Sequence, residues 1–135
     1  MHKYLIIIIT TSLSISADYA GYSGAFLRMG ISARSLAMGS GFPAEIDQGF
    51  TAYHNPAGVA FLNKRQLGFS YHALNLDRRL MMSSISTSLP PTAGLGVAWV
   101  SSGVDNIQGR STAGYKTQML STSEDAIFIS FAQRI

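Results

Sequence analysis

The sequence predicts an all-β fold, an antiparallel transmembrane β-barrel of which about four strands are present, preceded by a short Gly-rich segment with a little helix. Three observations predict it. After Lys64-Arg65 the chain breaks into runs where apolar side chains recur at every second residue, the mark of strands with two unlike faces. Charged residues make up only 13% of the 135 residues, where soluble domains carry about a quarter. The faces opposite the apolar ones carry Ser, Gly, Ala, Asn and His in place of the Lys and Glu that water would favour. The competing fold is a soluble antiparallel meander with one buried face, because the composition also fits a small soluble β-protein.

Residues 1–17 read as a secretory signal. Met1-His2-Lys3 is a short positive start, Tyr4 to Ile9 a continuous apolar run that thins from Thr10 to Ile15, and Ser14, Ser16 and Ala17 supply the small residues of a cleavage site. Cleavage after Ser16 or Ala17 leaves a mature chain that begins near Asp18. A buried strand is the bland alternative, since consecutive isoleucines favour β structure. A spanning helix needs about 20 mainly apolar residues, and this run weakens too early. A membrane location therefore has to be achieved through strands.

Residues 18–63 do not read as strands. Gly stands at 21, 24, 30, 39, 41, 49 and 58. Ser32 to Met38 can form a short helix with Ser32 as its cap and Ala33, Leu36 and Ala37 inside. Asn55-Pro56-Ala57-Gly58 is a strong turn signal: proline fixes its own φ and pushes Asn55 away from helical angles, and Gly58 tolerates a positive φ. A segment this bent and this poor in long side chains can pack inside something else, because small residues permit close approach.

From 64 to 135 the chain reads as strands. Gln66 to Ala73 places apolar side chains on odd positions; Leu80 to Leu89 is less clean; Gly94 to Val100 sets Leu95, Val97 and Trp99 against Gly94, Gly96 and Ala98. Ala126 to Gln133 sets Ile127, Ile129 and Phe131 against small residues, with Phe128 interrupting the small face. Leu76-Asp77-Arg78-Arg79 is a charged turn, Pro90-Pro91-Thr92-Ala93 a rigid one, and Val104 to Asp125 reads as a long polar loop. Short turns at one end and longer loops at the other is the arrangement of outer-membrane barrels. The strand lengths are near the 9–11 residues or so that cross a bilayer at a tilt. Tyr71 and Trp99, near strand ends, fall where aromatic residues gather at a membrane–water interface.

Enzyme chemistry has no signature here, and no catalytic, cofactor-binding or metal-ligating residue is assigned. The chain has no Cys, which excludes a disulfide framework, Cys-ligated metals and a lipidated N-terminal cysteine. His2, His54 and His72 share no metal-binding spacing. His54, beside Asn55, is read as packing against the turn and not as a catalytic group. Gly39-Ser40-Gly41 lacks the Gly-Lys-Ser/Thr of a phosphate loop, and no Gly-x-Ser-x-Gly elbow appears. Glu45 and Asp47 read as solvated turn carboxylates. The basic residues behind the net charge of +3 are dispersed, which argues against nucleic acid as a partner.

The stretch Gly24-Ala25-Phe26-Leu27-Arg28-Met29-Gly30-Ile31-Ser32-Ala33-Arg34-Ser35-Leu36-Ala37-Met38-Gly39 resembles the start of the PorV/PorQ-type outer-membrane proteins, within the broader FadL-like group. Tyr53-His54-Asn55-Pro56-Ala57-Gly58-Val59-Ala60 and Leu67-Gly68-Phe69-Ser70-Tyr71 continue it. The likeness covers residues 21–73 well and 80–135 by order of elements alone, and its specificity lies in the order and spacing of motifs. It implies that residues 18–63 form an N-terminal hatch, with Asn55, Pro56 and Gly58 as its structural turn, inside or beneath a barrel of about fourteen strands. Two motifs depart from the pattern: Met38-Gly39-Ser40-Gly41 replaces Met-Gly-Gly-Ala, and Glu45-Ile46-Asp47-Gln48 replaces an acidic pair.

Four strands cannot close a barrel, because about eight is the practical minimum. The chain is accordingly expected to be a truncated product or fragment of a longer gene, or less readily one of several copies in a shared barrel. The resemblance implies binding or passage of hydrophobic compounds across the outer membrane, with membrane lipid as the constant partner. It also implies one alternative, an interaction protein associated with type IX secretion that contacts exported proteins or secretion-machinery proteins through 104–125. A small secreted soluble β-protein is the other.

Overall fold

The computed structural model describes residues 23–39, 41, 44–46 and 49–135. The expected targeting segment, residues 1–17, lies outside the described residues. Four antiparallel strands pair in chain order as one sheet: β1 (Gln66–Leu74), β2 (Arg78–Leu89), β3 (Ala93–Arg110) and β4 (Lys116–Gln133). Among the described residues, short helical pieces precede them: a 3-10 turn (Ala25–Arg28), α1 (Ala33–Ala37), α2 (Thr51–His54) and a 3-10 helix (Pro56–Phe61). The sheet is open, and β1 and β4 are its edges among the described residues. No described helix is long and apolar enough to cross a membrane, which says nothing of crossing by strands.

The period-two pattern fixes the register. Cross-strand rows on one face run Leu67–Ile85–Val97–Ile129 and Phe69–Ser83–Trp99–Ile127. Rows on the other run Gln66–Ser86–Gly96–Ser130 and Gly68–Ser84–Ala98–Phe128. A slip of one residue would swap these two sets, so the alternation specifies the pairing strongly.

The described residues of the segment 23–62 lie on the second face. Ile31, Phe50, Ala52, Val59 and Leu62 from this segment form one buried cluster with Leu80, Met82, Ala98 and Val100 from the sheet. Each large side chain in it contributes about 1.5–3 kcal/mol by leaving water. The approach is close because the sheet offers no side chains at the contact. A Cβ on Gly94 would stand 2.0 Å from the carbonyl oxygen of Val59, and one on Gly68 2.6 Å from that of Gly49.

Three expectations need correction. Residues 104–125 are not a loop. β3 and β4 run on as a paired hairpin to a turn at 111–115, where Gly114 takes a φ of 84° and Ser111 N donates to the Tyr115 carbonyl at 2.9 Å. The strands are therefore 18 residues each, about 60 Å long, and not the 9–11 expected. The sequence hides this because residues 111–125 are exposed whichever way they point, so no burial alternation marks them. Pairing there rests on backbone hydrogen bonds, with register shifts between Val104 and Ile107 and between Gln108 and Arg110.

The second correction concerns α1. Ser32 caps it as expected, accepting from Ser35 N at 3.1 Å in a full capping box. Its buried residue is Ser35, while Ala33, Leu36 and Ala37 are exposed. The third is Gly58, which does not take a positive φ. It sits under Ile46 and Thr51, whose methyl carbons would stand 2.8 and 3.0 Å from a Cβ there. Asn55 and Pro56 behave as a turn: Asn55 is non-helical and its Oδ1 accepts from Gly58 N at 3.2 Å, opening the 3-10 helix.

Gly94→Val should destabilise the fold by about 1–3 kcal/mol, since the obstructing atoms are backbone and cannot rotate away. The neighbouring Ala93→Val, at a half-buried position, should change the thermal midpoint little; equal shifts for both would show that the Val59 contact is unimportant.

Candidate functional site

The two faces of the sheet are the features from which a function can be argued. The inner face is small and polar where the 23–62 segment docks, and each polar group there has a defined task. Gln66, buried at the start of β1, accepts from Gly49 N and from Thr51 Oγ1, both at 3.2 Å, and its Nε2 donates to the Ile46 carbonyl at 2.8 Å. Ser130 Oγ on β4 donates to the Ala52 carbonyl at 2.7 Å. Ser70 Oγ and His72 Nε2 on β1 meet at one acceptor, the Ile31 carbonyl, at 2.6 and 2.8 Å. A carbonyl can only accept, so His72 carries its proton on Nε2.

Tyr53 bridges the two halves of the segment. Its hydroxyl donates to the Leu27 carbonyl at 3.0 Å, and its ring meets Phe128 edge-on with centroids 5.1 Å apart. This contact accounts for the large residue that interrupts the small face of β4. Burial raises the Tyr53 pKa and lowers that of the neighbouring His54, so His54 is biased toward the neutral imidazole. His54 stacks edge-on against Tyr53 at 5.2 Å.

The outer face is the reverse. Leu67 is 79% exposed, Phe69 70%, Ile127 71%, Ile129 76% and Phe131 63%, and Tyr71, Ile85, Leu95, Val97 and Trp99 lie beside them. These ten side chains form a band from the Thr87–Leu95–Phe131 row to the Tyr71–Met81 row. Above it charge begins. Asp125 accepts from Trp99 Nε1 at 3.0 Å, and Arg79 pairs with Asp105. Tyr71 is three residues from the end of β1, as expected. Trp99, expected near a strand end, is in the lower half of β3, because the strand continues to Arg110. Both still occupy the upper limit of the apolar band.

Among the described residues no three His, Asp or Glu come together as a metal site. Glu45 pairs loosely with Arg34 at 3.6 Å, and Asp47 lies outside the described residues. Sequence reasoning missed Gln66, Ser70 and Ser130 as docking groups. Their signal was a polar residue repeatedly placed on the small face of a strand, which looks the same whether that face meets water or backbone. No family model, no curated protein and no solved structure matches the chain.

Ser130→Ala should cost about 1–3 kcal/mol by stranding the buried Ala52 carbonyl. Ser86→Ala should be neutral or stabilising, because the buried Ser86 hydroxyl has no hydrogen-bond partner among the described residues. Chemical denaturation of the two variants tests this; a larger loss for Ser86→Ala would contradict it.

Proposed function

We propose that this chain forms part of the wall of an outer-membrane β-barrel, with residues 18–63 as an internal hatch, in a protein that binds or passes hydrophobic compounds. One observation carries the reading: the sheet is apolar on both faces, and only one of them is covered. The covered face is small and hydroxyl-rich at one end and carries Leu80, Met82 and Val100 at the other, while the opposite face leaves ten large apolar side chains 37–79% exposed. Each large apolar side chain is worth about 1.5–3 kcal/mol when buried, so these ten, exposed to that degree, forgo on the order of 10 kcal/mol. That rivals the entire stability of an ordinary domain, roughly 5–15 kcal/mol. A bilayer recovers it.

The dimensions support the same reading. The ten side chains span about 20 Å along β2, from Thr87 to Met81, and the exposed Leu89 extends the apolar face to about 27 Å, or roughly 20 Å across a membrane at the usual strand tilt. The reading requires further strands to pair with β1 and β4, because lipid cannot satisfy their free backbone groups. The type of hydrophobic cargo and the FadL-like, PorV/PorQ-type kinship rest on the resemblance of residues 24–39, 53–60 and 67–71.

A second reading is favoured by the hairpin beyond Val104 and Thr122. It projects past the β1–β2 turn with Ile107, Tyr115, Met119 and Leu120 exposed, which suits a contact with secreted or secretion-machinery proteins.

The protein holds a single tryptophan, Trp99, on the outer face. Reconstituted with phospholipids brominated on their acyl chains, it should lose most of its fluorescence. Unquenched emission from protein left in the aqueous fraction would favour the soluble β-protein and end both membrane readings.

A further inference from the structure

The two ends of the sheet differ in charge. Asp77, Asp105, Glu124 and Asp125 all lie toward the hairpin end, mixed with basic residues. The opposite end carries Lys64, Arg65 and Arg134. The segments that build this end, 48–67, 84–97 and 127–135, contain no Asp or Glu. Glu45, the one described carboxylate of the docked segment, is engaged by Arg34. Counting Asp47 against Lys64, Arg65 and Arg134 still leaves this end positive.

Strand pairing brings the cations to one rim. Leu89, Ala93 and Gln133 form the last cross-strand row. Arg134 follows that row, and its backbone N–H donates to the Thr92 carbonyl of the β2–β3 turn at 2.9 Å. Lys64 and Arg65 directly precede β1 at the same end, and both are exposed. The Arg134 guanidinium carbon lies 5.4 Å from the centre of the exposed Phe61 ring, which turns the aromatic toward the rim.

The rim borders the apolar band. Gln66 pairs with Ser86, so Arg65, one residue outside β1, stands beside the Thr87–Leu95–Phe131 row where the band ends. Lys and Arg side chains lay their apolar stems along such a border and extend the charge beyond it. In a bilayer, the layer beyond the hydrocarbon is the one that holds lipid phosphates. A phosphatidylglycerol headgroup leaves its phosphate without a counter-charge, whereas phosphatidylcholine carries its own cation.

We propose that Lys64, Arg65 and Arg134 form a rim that binds the headgroup phosphates of anionic phospholipid in the leaflet at this end of the sheet. The rim rests on the membrane reading given above. Charge complementarity selects the lipid, and the adjoining apolar band sets the depth.

The test uses the full chain in phosphatidylcholine bilayers that contain a trace of phosphatidylglycerol or phosphatidylcholine spin-labelled on one acyl chain. Electron spin resonance gives the share of each labelled lipid whose motion the protein restricts. The unaltered protein should favour phosphatidylglycerol by about twofold. Salt at about 1 M, where the screening length is about 3 Å, should remove the preference. The triple variant Lys64→Gln, Arg65→Gln, Arg134→Gln should restrict the two lipids alike. Arg110→Gln with Lys116→Gln, at the other end, should keep the preference. Equal restriction of both lipids by the unaltered protein would overturn the rim and leave the membrane reading intact; this end would then face water or protein. A preference that survives the triple variant, or that the Arg110 and Lys116 changes abolish, would also overturn it. Restriction of neither lipid would defeat the rim and the membrane reading together.

Discussion

The carbonyl oxygen of Val59 lies where a side chain on Gly94 would have to be. Much of the arrangement depends on that close approach of two backbones. For the 23–62 segment to lie flat on the sheet, one face of all four strands must be stripped to Gly, Ala and Ser along the line of contact. Gly68, Ser86, Gly94, Gly96 and Ser130 meet this constraint. Along that line the large side chains go to the opposite face, and Leu80, Met82 and Val100 join the covered face only beyond it. Docking of the segment and exposure of the apolar band are two results of one pattern.

The contact is specific as well as close. The docked backbone presents carbonyls at Ile31, Ile46 and Ala52, and each meets a side-chain donor from the sheet or its edge: Ser70 with His72, Gln66, and Ser130. A buried carbonyl without a partner costs about 1–3 kcal/mol, so these few groups fix where the segment sits along the strands. The apolar cluster around Val59, Met82 and Val100 supplies most of the attraction and little of the register. Tyr53 ties Leu27 in the first half of the segment to Phe128 on β4, so the two halves dock as neighbours.

Much of this was legible in the sequence where one face of an element is covered and the other is not. Strands at 66–73, 80–89 and 94–100 announced themselves through Leu67, Phe69, Leu95 and Val97, although Arg78 and Arg79, read as a turn, already belong to β2; Ser32 marked a helical start, and the turn expected at Asn55 opens a 3-10 helix. The 104–125 hairpin was illegible because exposure on both faces leaves no period to read. Trp99 was misjudged as a strand-end residue for the same reason. The task of Gln66 could not be seen because its partners, Ile46, Gly49 and Thr51, are 15 to 20 residues away and are brought close only by the turn at Asn55. Gly58 was read as a conformational need when it is a spatial one, and the two are identical in a single sequence.

Under the proposed membrane reading, the odd-numbered face of the sheet meets lipid while the even-numbered face meets the protein's own N-terminal segment. The chain has no cysteine, so single cysteines can be placed without background. In the membrane-reconstituted protein, the reactivity of single cysteines at 95, 97 and 99, and at the buried positions 82, 98 and 100, separates the two faces. It would use one water-soluble and one lipid-soluble thiol reagent. The odd positions should react only with the lipid-soluble reagent, and the even positions should resist both. Ready reaction of the odd positions with the water-soluble reagent would contradict that reading.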